Sequence, residues 1–308
     1  LRLIARNGIG PELAHAHNLL GVIYRDAGQA KRAITHRYEA LDMYRELGHR
    51  IGQADTLNNL GLDHLAIGEW RDAAGDFEAC IEIAEEIGDI DLLAILHNNL
   101  GEVFMCQGEF VDAKREFRST MEIASDLGHI AVASLAEANL GEVLALEGRI
   151  TAGRDHLQRS LQAFRRIGAQ SFLADVQIRI GETHLAGGEL DHAYSLAERG
   201  LRVGRSLSSF PLEGRALNLM GVVQGRQRKW EAAERNLKDA GGIFRRIGDR
   251  YREAKARAAL VEVYTAQGTH RSAAAEARKA LSAFERLGAK HDLERIQEIV
   301  RGRQTEVG

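Results

Sequence analysis

Gly21, Gly61, Gly101, Gly141, Gly181 and Gly221 stand forty residues apart, each preceded by an apolar side chain (Leu20, Leu60, Leu100, Leu140, Ile180 and Met220). A second series, Gly28, Gly68, Gly108, Gly148, Gly188 and Gly268, keeps the same step and is missing only at Arg228. A third, Gly8, Gly48, Gly88, Gly128, Gly168, Gly248 and Gly288, is missing only at Ser208. No insertion or deletion disturbs the register, and a sustained period of this size is the mark of a solenoid. The second and third series together place a glycine every twenty residues, where a helix of about sixteen or seventeen residues would end in the left-handed conformation that glycine adopts cheaply. Each unit is then two helices, A and B. In the second unit they are expected over about Ile51 to Ile67 and Glu69 to Ile87. Pro11 and Pro211 occupy one slot in the first turn of helix A, where a missing N–H costs nothing.

Composition agrees with an all-α chain. Two prolines in 308 residues, with abundant Ala, Leu, Glu and Arg, favour helix, and aromatics at 6% leave little for strands. Cys80 and Cys106 belong to no metal-like or CxxC spacing and read as small apolar fillers in a reducing compartment. No apolar run approaches the roughly 20 residues that span a bilayer, so no membrane association is expected and the cytoplasm is the default location. The net charge of -3 hides a polarity: residues 1–150 hold 13 Lys+Arg against 25 Asp+Glu, and residues 151–308 hold 28 against 19. Such asymmetry steers charged partners toward one end or is simply a solvated surface.

Helix B carries columns of its own. Ala33, Ala73, Ala113, Ala193, Ala233 and Ala273 recur where two helices must approach closely, with Gly153 in the remaining slot. Trp70 and Trp230 share a mostly apolar column with Phe110, Ile150 and Leu190, which reads as core packing and not as a stacking surface. These residues resemble the tetratricopeptide repeat: Leu57, Leu60-Gly61, His64, Ala73, Phe77 and Cys80 in one unit, His97, Leu100-Gly101, Phe104, Ala113, Phe117 and Thr120 in the next. The unit departs from the family in being forty residues long and in lacking the proline that closes helix B. In that it resembles kinesin light chain and polarity-adaptor arrays and the C-terminal arrays of bacterial signal-transducing ATPase regulators. The resemblance implies a right-handed superhelical solenoid of about seven helix-turn-helix units (about 9–48, 49–88, 89–128, 129–168, 169–208, 209–248 and 249–288), then a capping helix and tail over 290–308. Residues 1–8 align with Leu41 to Gly48 and read as the end of a preceding unit, so effector domains N-terminal to Leu1 are expected.

Catalytic signatures are absent: there is no P-loop, HExxH, GxSxG or EF-hand ladder. No catalytic residue, cofactor or metal is expected. The twelve histidines scatter, His64 and His184 at the family's aromatic slot and His17 and His97 at its large-residue slot. The basic run over residues 226–257, with Arg226, Arg228, Lys229, Arg245, Arg246, Arg250, Arg252, Lys255 and Arg257, is interleaved with acids, which makes nucleic acid a minor alternative to solvated ion pairs.

At 100° per residue, Leu57, Leu60, Gly61 and His64 share the core-facing arc of helix A, and the amides of the second unit point away from it. In the family resemblance that far side lines the concave groove where a peptide is held. The candidate groove residues are Asn18, Asn58, Asn98 and Asn218 in one column and Asn59, Asn99 and Asn139 in its neighbour. Glu102, Glu142 and Glu182 lie one turn later, with Leu62 and Met105 adding apolar area. Amides that donate and accept suit an extended peptide, and the glutamates favour a basic one. Two readings stay open: a partner-binding groove, or amides consumed between neighbouring A helices. The expected function is a non-catalytic scaffold or sensor that binds a protein segment, within a larger bacterial regulator of signalling or transcription. The alternative is a regulatory or autoinhibitory array attached to an N-terminal enzyme domain.

Overall fold

The computed structural model describes residues 10–306, and among them fifteen α-helices. They pair into hairpins: α1 Pro11–Asp26 with α2 Ala30–Glu46, α3 Arg50–Ile67 with α4 Trp70–Ile87, α5 Ile90–Gln107 with α6 Phe110–Asp126, and α7 Ile130–Leu146 with α8 Ile150–Arg166. Then follow α9 Gln170–Ala186 with α10 Leu190–Ser206, α11 Phe210–Arg226 with α12 Trp230–Ile247, α13 Arg250–Ala266 with α14 His270–Leu287, and a last helix, α15 Lys290–Glu306. The chain is a superhelical solenoid in which odd-numbered helices also touch one another along the inner side. The proposed remnant over residues 1–8 lies outside the described residues.

Each hairpin is closed by the same device. After α3, the N–H of Glu69 bonds to the carbonyl of His64 at 2.9 Å and the N–H of Gly68 to that of Leu65 at 3.1 Å, with Gly68 at φ 80°. This pair of bonds satisfies carbonyls that the helix end would leave bare. The two positions where the glycine series fails do not escape it: Ser208 and Arg228 sit at φ 52° and 60° and make the same bonds. Register therefore overrides residue type, and two side chains stay in a conformation that crowds Cβ against backbone.

Within a hairpin the Leu-Gly glycine sets the helix separation. A Cβ on Gly61 would lie 2.5 Å from the Phe77 ring, and one on Gly101 2.6 Å from that of Phe117. Both rings are fully buried. In the first hairpin the Phe77 and Phe117 slot holds Arg37, also fully buried. Its Nε donates to Asp63 Oδ2 at 2.5 Å, and Asp63 stands in the slot filled by Val103 and Val143. An ion pair thus replaces an aromatic-aliphatic contact between α2 and α3. Among the described residues Arg37 keeps one buried nitrogen without a hydrogen-bond partner, as does Asp63 one oxygen.

The array winds far enough to meet itself. Trp70 is 2% exposed because the Tyr251 ring packs edge-on against it at 5.3 Å. Phe110 meets His291 at 5.3 Å, and Lys290 Nζ bonds to Glu109 Oε1 at 2.8 Å. One apolar cluster joins Leu60, Phe77, Leu100 and Val103 to Val261, Phe284, Leu287 and Ile296. The last hairpin and α15 therefore rest on the turns of the second and third hairpins.

Two outcomes follow from these local arrangements. Ser208→Gly and Arg228→Gly should each raise the free energy of chemical unfolding by about 0.5–1 kcal/mol, since only the side chain is strained there. Asp63→Ala should cost about 3–5 kcal/mol by leaving a buried guanidinium uncompensated, whereas the double change Arg37→Phe with Asp63→Val should be neutral or stabilising in the same measurement.

Candidate functional site

The inner face of the solenoid is built from the odd-numbered helices, and its amides form a ladder. Asn99 Nδ2 donates to Asn58 Oδ1 at 3.2 Å, and Asn139 Nδ2 donates to Asn98 Oδ1 at 3.0 Å and to Glu102 Oε1 at 3.1 Å. The next rung is Arg179, whose NH1 donates to Asn139 Oδ1 at 2.6 Å. Each amide rung spans forty-one residues, because neighbouring inner helices present one asparagine column to the other. Asn98, Asn99 and Asn139 are buried by this pairing. Asn18 donates to Thr56 Oγ1 at 2.8 Å, and Asn59 turns back to the carbonyl of Asp55 on its own helix at 2.8 Å. Two columns that the sequence places on one open face thus meet edge to edge.

The glutamate column is engaged as well. Glu142 lies 2.8 Å from Arg179, Glu182 3.3 Å from Arg215 and Glu262 2.6 Å from Arg295, while Glu102 accepts from Asn98 and Asn139. The acidic surface expected to favour a basic ligand is therefore largely neutralised by arginines on the next inner helix. Asp175 stands at the centre, 2.7 Å from Arg179 and 2.5 Å from Arg215. Burial alone would raise its pKa, but the two guanidiniums outweigh that and hold it at about 2. Leu62 packs into the cluster shared with the C-terminal helices, and Met105 packs against the Phe117 cluster.

One stretch of the inner face is different. Arg215 pairs with Glu182 and Arg295 with Glu262, each thirty-three residues apart, and the same step from Lys255 arrives at Val222, which has no charge. Among the described residues Lys255 has no carboxylate within ion-pair distance, and its ammonium lies 5.3 Å from the Tyr251 ring centroid. Asn218 Oδ1, beside it, is buried without a hydrogen-bond partner. Both residues border a cavity of about 60 Å³ lined by α5, α7, α9, α11, α13 and Phe244 of α12, too small for a peptide. They also border a second space, toward α15, that shares Val222, Ala259, Glu262 and Arg295 with neighbouring grooves of about 270 and 390 Å³. Val222, Ala259 and Val263 floor the former, and Arg226, Glu262 and Arg295 line the latter.

Elsewhere the named residues are accounted for by packing. His64 is buried and lies 2.6 Å from Asp76. Cys80 donates to the carbonyl of Ala54, and burial pushes its thiol up to about 12. In the basic run over residues 226–257, Arg245, Arg252 and Arg257 are held by Glu253, Asp249 and Glu276, and Arg246 lies over the Phe210 ring at 3.9 Å. Among the described residues no helix is long and apolar enough to cross a membrane.

Residues 12–86 match the family described as Tetratricopeptide repeat, and the helix-turn-helix plan of the described residues is that of a tetratricopeptide-like solenoid. No curated protein matches the chain. Among solved structures, the Rap conjugation gene regulator of the plasmid pLS20, in complex with the Phr* peptide, is 15% identical, with a TM-score of 0.73 over 92% of this chain and 75% of that one. Kinesin light chain TPR-like repeats from Podosopora anserina are 14% identical, with a TM-score of 0.52 over 64% and 97%. A Signal Transduction ATPase with Numerous Domains from Pyrococcus horikoshii, which carries a tetratricopeptide repeat sensor, is 13% identical, with a TM-score of 0.54 over 95% and 47%. At these identities the likeness is one of fold.

The Asp175 cluster gives a pH-dependent expectation. Its depressed pKa means a contribution to stability that is complete above the unfolded value of about 3.9 and is lost as pH falls through about 2. Asp175→Asn should lower stability by about 2 kcal/mol at neutral pH, and the gap to the parent chain should close only below about pH 4 in acid unfolding curves.

Proposed function

We propose that the chain is a non-catalytic binding array that takes an extended segment of a partner protein along the concave face of α11, α13 and α15. One observation carries the reading: among the described residues the inner face there keeps a cation, Lys255, with no carboxylate at ion-pair distance, and a buried acceptor, Asn218 Oδ1, with no hydrogen-bond donor, beside an apolar-floored groove. An extended peptide brings what both lack, a carboxylate for the ammonium and an N–H for the amide oxygen. The amide columns at Asn18, Asn58, Asn59, Asn98, Asn99 and Asn139, with Glu102, Glu142 and Glu182, shape the wall and fix its curvature. Leu62 and Met105 back that wall from the core.

The fold relatives lend support, since one is a regulator solved with a peptide and another carries its repeats as a sensor. By that analogy the array is the sensing part of a larger cytoplasmic regulator. A segment that fits one curvature better than another shifts the array toward it, and differential affinity is all such a switch requires.

The test is to pan a random-peptide display library on the immobilised chain and to measure the enriched peptides by calorimetry. Enriched peptides should carry Asp or Glu, and Val222→Glu, which gives Lys255 an internal partner, should weaken them at least tenfold, as should Lys255→Glu. No enrichment over a blank surface, or equal affinity in both variants, would rule the groove out.

A further inference from the structure

A recurring contact between the two helices of a hairpin has an exception in α1 and α2. The inner helix residue four before the Leu-Gly glycine faces the outer helix residue nineteen positions later. Where both slots are polar and charged they complement each other: His97 and Glu116 at 2.7 Å, Glu137 and His156 at 3.1 Å, Arg257 and Glu276 at 2.8 Å. In the first hairpin both slots hold histidine, and His17 Nδ1 lies 3.1 Å from His36 Nδ1. Two imidazole nitrogens at that distance are joined either by a hydrogen bond, with one ring carrying the N–H, or by a metal ion.

Glu39, one turn beyond His36, supplies a third donor. Its Oε2 lies 2.5 Å from His17 Nδ1 and 3.2 Å from His36 Nδ1. The triangle of these three atoms has a circumradius of about 1.7 Å, so a point about 2.1 Å from all three exists just off its plane, the distance of Zn–N and Zn–O bonds. Tyr24 stacks flat on His36, with ring centroids 5.2 Å apart and planes 2° apart, and holds the imidazole in place. The His17 and His36 side chains are 11% and 22% exposed and Glu39 47%, so the donors are oriented by packing while one side stays open to solvent.

We propose that His17, His36 and Glu39 form a binding site for a divalent first-row transition ion of the Zn²⁺ class, which cross-links α1 to α2. Two imidazoles and one carboxylate select such an ion over Mg²⁺ or Ca²⁺, which prefer all-oxygen sets. Three protein ligands leave a coordination position for water. A second group of the same composition, His184, Glu189 and His192, lacks these features. Arg154 occupies the other oxygen of Glu189 at 3.0 Å, and His192 is 76% exposed and 3.6 Å from the carboxylate. It serves as an internal control.

The full chain, dialysed against EDTA, would be titrated with Zn²⁺ in competition with a chromophoric chelator and with Co²⁺ for its visible absorption. One saturable Zn²⁺ per chain is expected, with at least tenfold weaker binding in His36→Ala and in Glu39→Gln, loss of the cobalt band in both, and no change in His192→Ala. The melting temperature should rise with saturating Zn²⁺ in the parent and not in those two variants, and Mg²⁺ should do nothing. Circular dichroism establishes that the variants fold, both substitutions being at partly exposed positions. Absence of saturable binding, or affinity unchanged in the folded His36→Ala and Glu39→Gln chains, would overturn the site and leave a hydrogen bond between the imidazoles.

Discussion

The left-handed turn that ends a helix every twenty residues is what the rest of the molecule depends on. It fixes helix length, and with no inserted residue anywhere it fixes which side chains meet. A residue on one inner helix always finds the same position of the next. The amide rungs, the arginine–glutamate pairs and the facing slots of each hairpin are all products of this register. Its strength is visible at Ser208 and Arg228, which accept a conformation ordinary side chains avoid rather than shift it. The register also makes exceptions informative: Arg37 in a phenylalanine column, Val222 in a glutamate column and His36 opposite His17 are each recognisable because the slot is defined by its siblings.

Helix limits were legible in the sequence because glycine spacing is a local signal. The second unit was expected over Ile51 to Ile67 and Glu69 to Ile87, and the helices run Arg50–Ile67 and Trp70–Ile87. The Leu-Gly and alanine columns likewise point to the faces that pack. What was not legible depends on contacts between units. Helical angles put Asn58 and Asn99 on the inner side but do not say that one helix's column abuts the other column of its neighbour, which needs the offset between adjacent inner helices. The glutamates read as a free acidic surface because their arginine partners stand thirty-three residues away, or thirty-seven for Glu142, with nothing local to link them. His17 and His36 were missed for the same reason, although pairing His97 with Glu116 and Glu137 with His156 would have revealed the nineteen-residue relation. Trp70 was correctly read as core, but its covering ring, Tyr251, is remote and leaves no trace in a periodic pattern.

The inner surface divides its polar groups between holding and offering. From Asn58 to Asp175 nearly every donor and acceptor is matched to another across neighbouring helices, so that this stretch resists deformation and presents little to a visitor. Beyond Asp175 the pattern loosens: an uncharged valine interrupts the glutamates, and the floor becomes aliphatic. A solenoid assembled from near-copies can make this change one residue at a time, because each slot is repeated several times and a single copy can be altered without disturbing its siblings.

The contacts of Lys290 with Glu109, His291 with Phe110 and Tyr251 with Trp70 change the kind of folding problem the chain presents. An open solenoid is a one-dimensional chain of neighbours, in which each unit feels only the next and the ends fray independently. Here residues 181 positions apart are joined, and the loop they close contains most of the molecule. Closing that link costs loop-closure entropy, which the stacking of the intervening hairpins offsets. Its reward is paid to both terminal regions at once. Loss of structure at the C-terminal end then exposes Trp70 far from it in sequence, so unfolding becomes a property of the ring and not of either end.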